Sequence, residues 1–521
     1  MRSVTLQRQP EENLTAGASE LRRLRALAGT VEAMLQAADA LVDWRAAADA
    51  LAAEADLESL AGERTLDDLA FRLRERWLAL AHEATRGYLM APPHEQHKFM
   101  PSGTRFQFDY ERSSRPEILE RRGLEGAPPA PGWRGACRLF SSGMSAIAAL
   151  VNVCCARLKG PKPETPVQLD MFGGYFETWR LLDTVHDAVL RVDYLKSTAQ
   201  LNQRVAAGGT DVLVLEPVAY DWDMTVFDRD AFADAWRAAG ADHPKLVIVD
   251  TSLTGHAFGF DDLVPAFGDN PPWTVVFVRS GLKLDQEGLE LSNAGVAHVY
   301  VPEAGSPVHL ERLLERLNVY RSITGGGLTV NQQAALEAPW FLDGERFGDH
   351  AGRVFANNAA LARAIRLEGG VFSRVNHPVL SAMSETPWAV APFVVLHLAD
   401  DDVGRLGKLV AIIAHEVRER GLQLDLGSSF GFRGNRFEVI RPLVQIREHG
   451  ESAGLLKIAM GARPGPSQPA IAELVNELAA YRDWQALADA YAGVPAYAKG
   501  SFGVYEPVPR KPYRNGGQIG G

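Results

Sequence analysis

The sequence predicts an α/β protein built on a large, mainly parallel sheet, with a smaller C-terminal α/β domain and a helical N-terminal extension. Three observations carry this. Short apolar runs alternate with helix-sized segments between Cys137 and about Pro302. Those runs are continuous rather than alternating in polarity, as in strands buried on both faces. The first ninety residues instead repeat apolar positions at helical spacing.

Residues 1–89 are rich in Ala, Leu, Glu and Arg. LRRLRALAGTVEAMLQAADALVDW and LDDLAFRLRERWLALAHEA each carry an apolar stripe, which predicts two to four helices. Residues 90–136 are crowded with Pro, Gly, Arg and aromatics. Such an ordered, irregular arm belongs on another surface. In residues 137–370, the runs VQLDMF, DAVLRVDYL, DVLVLEPV, KLVIVD and WTVVFVRS predict the sheet. Helices follow in HLERLLERLNVYRS, VNQQAALEAPWFL and GDHAGRVFANNAALARAI. In residues 371–498, PWAVAPFVVLHL, DDVGRLGKLVAIIAHEVRERG and LLKIAMGAR predict a strand, a helix and a strand. Residues 499–521 form a tail rich in Gly, Pro and Lys.

The chain has 521 residues, 46% hydrophobic and 23% charged, enough for several domains and typical of globular proteins. Its net charge of −11 disfavours a nucleic-acid partner held by excess Lys and Arg. No apolar run is long enough to span a bilayer, so no membrane partner is expected. Three cysteines, Cys137, Cys154 and Cys155, make neither a disulfide framework nor a zinc site. The expected compartment is the cytoplasm, and no metal is expected.

Chemistry concentrates where strands end, because loops converge at the carboxyl edge of a parallel sheet. Asp250 closes KLVIVD and puts a carboxylate at that edge. Lys283 follows the run ending at Ser280, where partial desolvation would lower its pKa and suit imine formation. FSSGMSAIAALVNVCC is a polar turn entering an apolar helix, and its first amides, at Ser142, Gly143 and Met144, form an anion cradle. Neither the P-loop nor the dinucleotide fingerprint is present. A solvated loop lysine, an aspartate capping a helix or ligating a metal, and an ordinary N-cap are the alternatives for these three features taken singly.

In order, SSGM, MFGGYFETWRLL, VIVDTSLTG and VRSGLKL, preceded by Tyr110-Glu111-Arg112-Ser113-Ser114-Arg115-Pro116, resemble a known set of stations. They are similar to SSGMAA, YGGTYRL, VDNTFATP, SATK and Y-S-R-x-x-N-P of the Cys/Met-metabolism enzymes dependent on pyridoxal 5'-phosphate (PLP). This is the cystathionine gamma-synthase-like family of fold type I, and the resemblance runs from about Tyr110 to Arg463. It implies PLP as cofactor, joined to Lys283 as a Schiff base, with Asp250 at the pyridine nitrogen. Gly143, Met144, Ser142 and Ser280 would hold the phosphate. Tyr110 and Arg112 would reach the phosphate of a neighbouring subunit in a homodimer or homotetramer with shared active sites. Strict alignment puts Phe172 at the family's ring-stacking tyrosine, with Tyr175 as the catalytic alternative.

The departures are specific. Leu282 replaces the Thr before the lysine, and LEPVAYDWDM replaces ESPTNP, leaving Tyr220 and Asp221 near the position of the cofactor-side Asn. The LxRLSVG strand appears as LLKIAMGAR, with Lys457 at the arginine position. Because a bidentate carboxylate clamp needs a guanidinium, Arg463, Arg433 and Arg436 are the expected substrate-binding residues. The implied activity is that of a lyase or transferase. It acts on a Schiff-base-linked amino acid by β/γ-elimination or γ-replacement, with a specialised carbon–carbon bond-forming reaction on an S-adenosylmethionine-type substrate as one form. Aminotransfer and a degenerate scaffold are the alternatives.

Overall fold

The computed structural model describes residues 14–497 apart from 38, 55, 95, 155–157, 159–164, 186–188, 400–402 and 441–453. Cys155 and the tail 499–521 lie outside the described residues.

Three helices come first: α1 (Ala16–Leu35), α2 (Val42–Glu54) and α3 (Leu60–Thr85). Thr15 and Ser59 cap α1 and α3 by accepting the Ala18 and Gly62 amides. Leu21, Leu24, Ala28 and Val31 of α1 recur at helical spacing and are buried against Leu66, Leu69, Leu73 and Trp77 of α3. Two indoles fix the layer, Trp44 donating to the Leu69 carbonyl and Trp77 to the Ala335 carbonyl, each at 2.8 Å. The arm that follows holds a hairpin, β1 (Gln96–Phe99) with β2 (Arg105–Phe108), and a helix, α4 (Glu117–Gly126).

The central sheet contains β3 (Trp133–Phe140), β4 (Val167–Phe172), β5 (Leu190–Leu195), β6 (Val212–Leu215), β7 (Leu246–Asp250), β8 (Thr274–Ser280) and β9 (Gly295–Pro302). Their order is β3-β9-β8-β7-β6-β4-β5. Strands β4 to β8 pair in parallel, while β9 runs against both of its neighbours. Successive residues go to opposite faces: Val247, Val249, Val275 and Phe277 join one core, while Ile248, Val276 and Val278 join the other. Both faces are therefore covered, as the apolar runs predict. Strands β3 and β9 are additions to the five predicted runs.

A second sheet, order β10-β11-β14-β13-β12, contains β10 (Phe372–Asn376), β11 (Val394–Leu398), β12 (Asp425–Leu426), β13 (Arg436–Ile440) and β14 (Leu455–Ala459). Val394, Leu396 and Leu398 pack on helices Val403–Arg420 and Ser467–Ala479, whereas Val395 and Leu455 join the core of the large sheet. The two sheets thus share a core, and a cleft opens where they meet. Among the described residues no helix is long and apolar enough to cross a membrane, and no cluster of acidic, His or Cys side chains could hold a metal ion.

Candidate active site

The cleft, about 560 Å³, lies at the carboxyl edge of the large sheet. Five strands deliver its floor. Phe140, Gly295 and Ser280 stand in register across β3, β9 and β8. After β3 the chain turns through Ser142 into helix α5 (Gly143–Val153), whose N-cap is the Ser142 hydroxyl accepting the Ser145 amide at 3.1 Å. A Cβ at position 295 would stand 2.1 Å from the Ser142 carbonyl oxygen, so glycine is required there for the turn to approach the sheet. Gly143 packs beside Ser280, with 3.4 Å between its notional Cβ and the serine Cα. First-turn amides have no carbonyl ahead of them in the helix, so those of Gly143 and Met144, both on the cleft wall, are anion donors.

The Gly173-Gly174 turn after β4 wraps around a buried carboxylate, Glu216, at the end of β6. Glu216 accepts the amides of Gly174 (3.0 Å), Tyr175 (3.1 Å) and Tyr220 (2.7 Å). A Cβ on Gly173 would lie 2.4 Å from the Glu216 carboxyl carbon, and one on Gly174 would lie 2.2 Å from the Tyr220 carbonyl oxygen. Burial, with the nearby Asp250 charge, pushes Glu216 up to about 8.

Asp250 ends β7 on the cleft wall and accepts the Ser252 amide at 2.8 Å. Burial raises its pKa, and among the described residues no ion pair offsets that cost. The Ser252 hydroxyl in turn accepts the Ser280 amide at 2.9 Å, tying the β7 and β8 ends together. Lys283 lies on the cleft, its Nζ donating to the Ser429 hydroxyl and standing 5.3 Å from the Phe430 ring centre. Burial and repulsion from Lys457 lower its pKa from 10.5 to about 8.

The cleft therefore gathers Lys283, Asp250, Ser142, Gly143, Met144, Ser280 and Tyr175 from the sequence expectation. Phe172 differs: as the last residue of β4 it points into the large core, 1% exposed, and does not line the cleft. Tyr175 supplies the aromatic wall instead, its hydroxyl donating to Glu177 at 2.7 Å and its ring 5.6 Å from that of Tyr220.

The arginines also differ from expectation. Arg463, 1% exposed, is ion-paired with Glu63 at 2.9 Å and with Asp67, both on α3. Arg433 is buried against Glu20 of α1 and donates to the Glu287 carbonyl at 3.2 Å. Neither lines the cleft. Arg436 pairs with Glu290 at 2.5 Å, stacks 3.9 Å above Phe432 and reaches the cleft residue Ser428 through its carbonyl at 3.4 Å. It is Lys457 that stands on the cleft wall, paired with Glu438. Tyr110 and Arg112 are surface residues of the arm, Arg112 donating to the Tyr110 hydroxyl at 2.7 Å and to the Ile323 carbonyl at 3.2 Å. They lie outside this chain's own cleft.

Sequence reasoning did not single out Glu216, Ser252, Trp222, Ser429 or Glu438. The doubled glycine of MFGGYF was a usable sign of a close partner such as Glu216. The other four come from loops and strands whose meeting has no local signal.

The amine, the unpaired carboxylate and the amide-lined helix start fit PLP: one can join an aldehyde, one can meet a pyridinium cation, one can receive a phosphate. No protein-family model matches the chain, and no curated protein matches it. Solved structures do. A methionine gamma lyase from Micromonospora echinospora, apo CalE6, superposes with a TM-score of 0.50 and 19% identity, covering 79% of this chain and 98% of that one. The metB protein from Corynebacterium glutamicum gives 0.50 and 18%, covering 71% of this chain and 87% of that one. The chain has the fold of the fold-type-I PLP enzymes. That is the fold its motif order predicts.

Proposed function

We propose that the chain is a PLP-dependent lyase or transferase that acts on an amino acid by β/γ-elimination or γ-replacement. The observation that carries this is one cleft in which Lys283 meets Asp250 and the first amides of α5. When bound, PLP supplies an electron sink that acidifies the hydrogen on the amino acid's α-carbon. Lys283 would hold the cofactor and, once displaced by substrate, take that proton on Nζ. An amine lowered to about 8 is suited to accept and return a proton near neutral pH. Asp250 would keep the ring nitrogen protonated, its carboxylate offset at last by a cation. Gly143, Met144, Ser142 and Ser280 would hold the phosphate, with Tyr110 and Arg112 of a second copy completing it in a shared homodimeric or homotetrameric site.

Burial and Glu177 raise the Tyr175 hydroxyl's pKa, so it stays protonated and directed at Glu177, and its role on the wall would be to position rather than to protonate. With Arg433 and Arg463 engaged elsewhere, the substrate carboxylate would meet Lys457, a point charge rather than a fork, or Arg436 at the cleft margin. The rings of Tyr175, Tyr220 and Trp222 and the carboxylate of Glu177 line the remaining wall, Glu438 being paired with Lys457. An electron-rich wall of this kind favours a cationic side chain, which supports a sulfonium substrate of S-adenosylmethionine type, with carbon–carbon bond formation as one outcome of replacement.

The test is turnover by the PLP-loaded protein of amino acids carrying ester, thioether or sulfonium leaving groups at the β or γ carbon. Release of the leaving group with ammonia and a 2-oxo acid, or capture by an added nucleophile, is expected. No turnover across the panel, with the cofactor converted to its amine form by an amino acid alone, would assign aminotransfer instead.

A further inference from the structure

The loop leaving Lys283 is backbone-strained. Glu287 (φ 52°) and Glu290 (φ 48°) both adopt the left-handed region, which non-glycine residues reach only when their surroundings enforce it. Within the loop, Gln286 donates to the carbonyls of Gly281 (2.8 Å) and Ser292 (2.6 Å) and accepts the Leu291 amide (2.7 Å). Arg436 and Arg353 face the Glu290 and Glu287 carboxylates from elsewhere in the chain, and further enforcement comes from the N-terminal helices. Arg74 of α3 donates to the Glu290 carbonyl through Nη2 at 3.1 Å and Nε at 3.3 Å. Glu20 of α1, itself buried, pairs with Arg433, which donates to the Glu287 carbonyl. Leu289 and Leu291 are buried in the same core as Leu69, Leu73 and Trp77. None of these helical residues lines the cleft.

We propose that α1 and α3 form a clamp that holds the strained 284–291 loop and thereby positions Lys283, with Glu20 and Arg74 as positioning residues. The inference goes beyond the proposed reaction, since it concerns where the amine is held rather than what it attacks. It gives the N-terminal extension a role that a packing layer would not have. The charged groups facing the amine are Lys457 and Arg436 from β14 and β13, Glu177 from the first turn of the helix Phe176–Asp183, and Glu290 from the clamped loop. Releasing the loop admits water to the amine and moves the Glu290 carboxylate.

The test uses the full chain carrying Glu20→Gln or Arg74→Met. Two readouts are independent of turnover: hydrogen exchange in peptides covering 284–291, and the pH midpoint of reductive methylation of Lys283 by formaldehyde and cyanoborohydride in cofactor-free protein. Exchange in the loop is expected to quicken about tenfold while β6 and β7 stay protected. The Lys283 midpoint is expected to rise from about 8 toward its ordinary 10.5. Folded variants with unchanged loop exchange and an unchanged midpoint would overturn the clamp. Should Glu20→Gln fail to fold, Arg74→Met decides, because Arg74 is only half-buried and its contact there is a backbone carbonyl. A chain that never binds PLP would leave both readouts measurable, so the two proposals fail separately.

Discussion

Lys283, just past the end of β8, donates its Nζ proton to the hydroxyl of Ser429, which stands 146 positions later in the loop leading to β13. The Lys283 amine is thus held between the two sheets. Ser429 itself has φ 79°, a left-handed backbone that places its side chain on the cleft wall.

The amine's acidity follows from that location. In cofactor-free protein, Lys283 is expected to be modified by aldehyde and reductant with a midpoint near pH 8, since only the neutral amine adds to a carbonyl. Lys457→Met removes a like charge, so the midpoint should rise, and modification at pH 7.5 should slow. Peptide mass spectrometry across a pH series reads both, and a midpoint near 10.5 in the parent protein would contradict the account.

Gly174→Ala tests the turn that presents Tyr175. Its Cβ would press on the Tyr220 carbonyl from 2.2 Å, and overpacking of this order costs about 1–3 kcal/mol. We expect a lower denaturation midpoint together with weakened PLP binding, measured by cofactor titration. Unchanged affinity would show that the turn does not serve the site.

Arg463→Leu tests the reassignment of that arginine to structure. Removing one partner of a buried ion pair strands Glu63, at a cost of about 3–5 kcal/mol. The stability loss should appear in chemical denaturation, and Glu63→Leu should also destabilise the protein, though Arg463 then keeps Asp67. A stable Arg463→Leu protein with a raised KM alone would return the residue to the substrate.

Acid should unfold the protein in a defined window. Burial lowers the pKa of His298 and His350 to about 3 and of His377 and His397 to about 4, from an ordinary 6.5. Between those values the unfolded chain binds protons that the native chain refuses. These histidines therefore contribute fully above about pH 6.5, and their contribution falls as pH drops toward 3. Each costs about 1.4 kcal/mol per pH unit through its window. Because the raised Glu216 carboxyl works in the opposite sense, the check compares denaturation midpoints at pH 5 and 7 in the parent and in His350→Gln: a smaller loss on going to pH 5 is expected in the variant, and an identical one would contradict it.

What the sequence makes legible is set by range. Strands β6, β7 and β8 read most directly because burial on both faces demands near-continuous Val, Ile and Leu, while β4 and β5 keep apolar runs broken by Gln, Asp and Arg. β3 does not read, because Arg134 and Arg138 interrupt its apolar pattern, and the small-sheet strands β10, β12 and β13 are short or polar. In the cleft, Asp250 at the end of β7, Gly143 at the start of α5 and Lys283 three residues past β8 are legible because all three lie at the carboxyl edge of the large sheet. Arg433 and Arg463 stand away from the cleft because Glu20, Glu63 and Asp67, which occupy them, lie some 400 positions earlier. Phe172 misled by alignment alone: a two-sided strand sends its last residue into the core, and the doubled glycine carries Tyr175 to the wall.

The central claim is that Lys283 carries PLP in this cleft. The absorption spectrum of the purified protein with added PLP, before and after borohydride and beside Lys283→Ala, tests it most directly. A band near 420 nm that borohydride abolishes and the variant lacks is expected. No such band in the parent protein, or the same band in the variant, would contradict it.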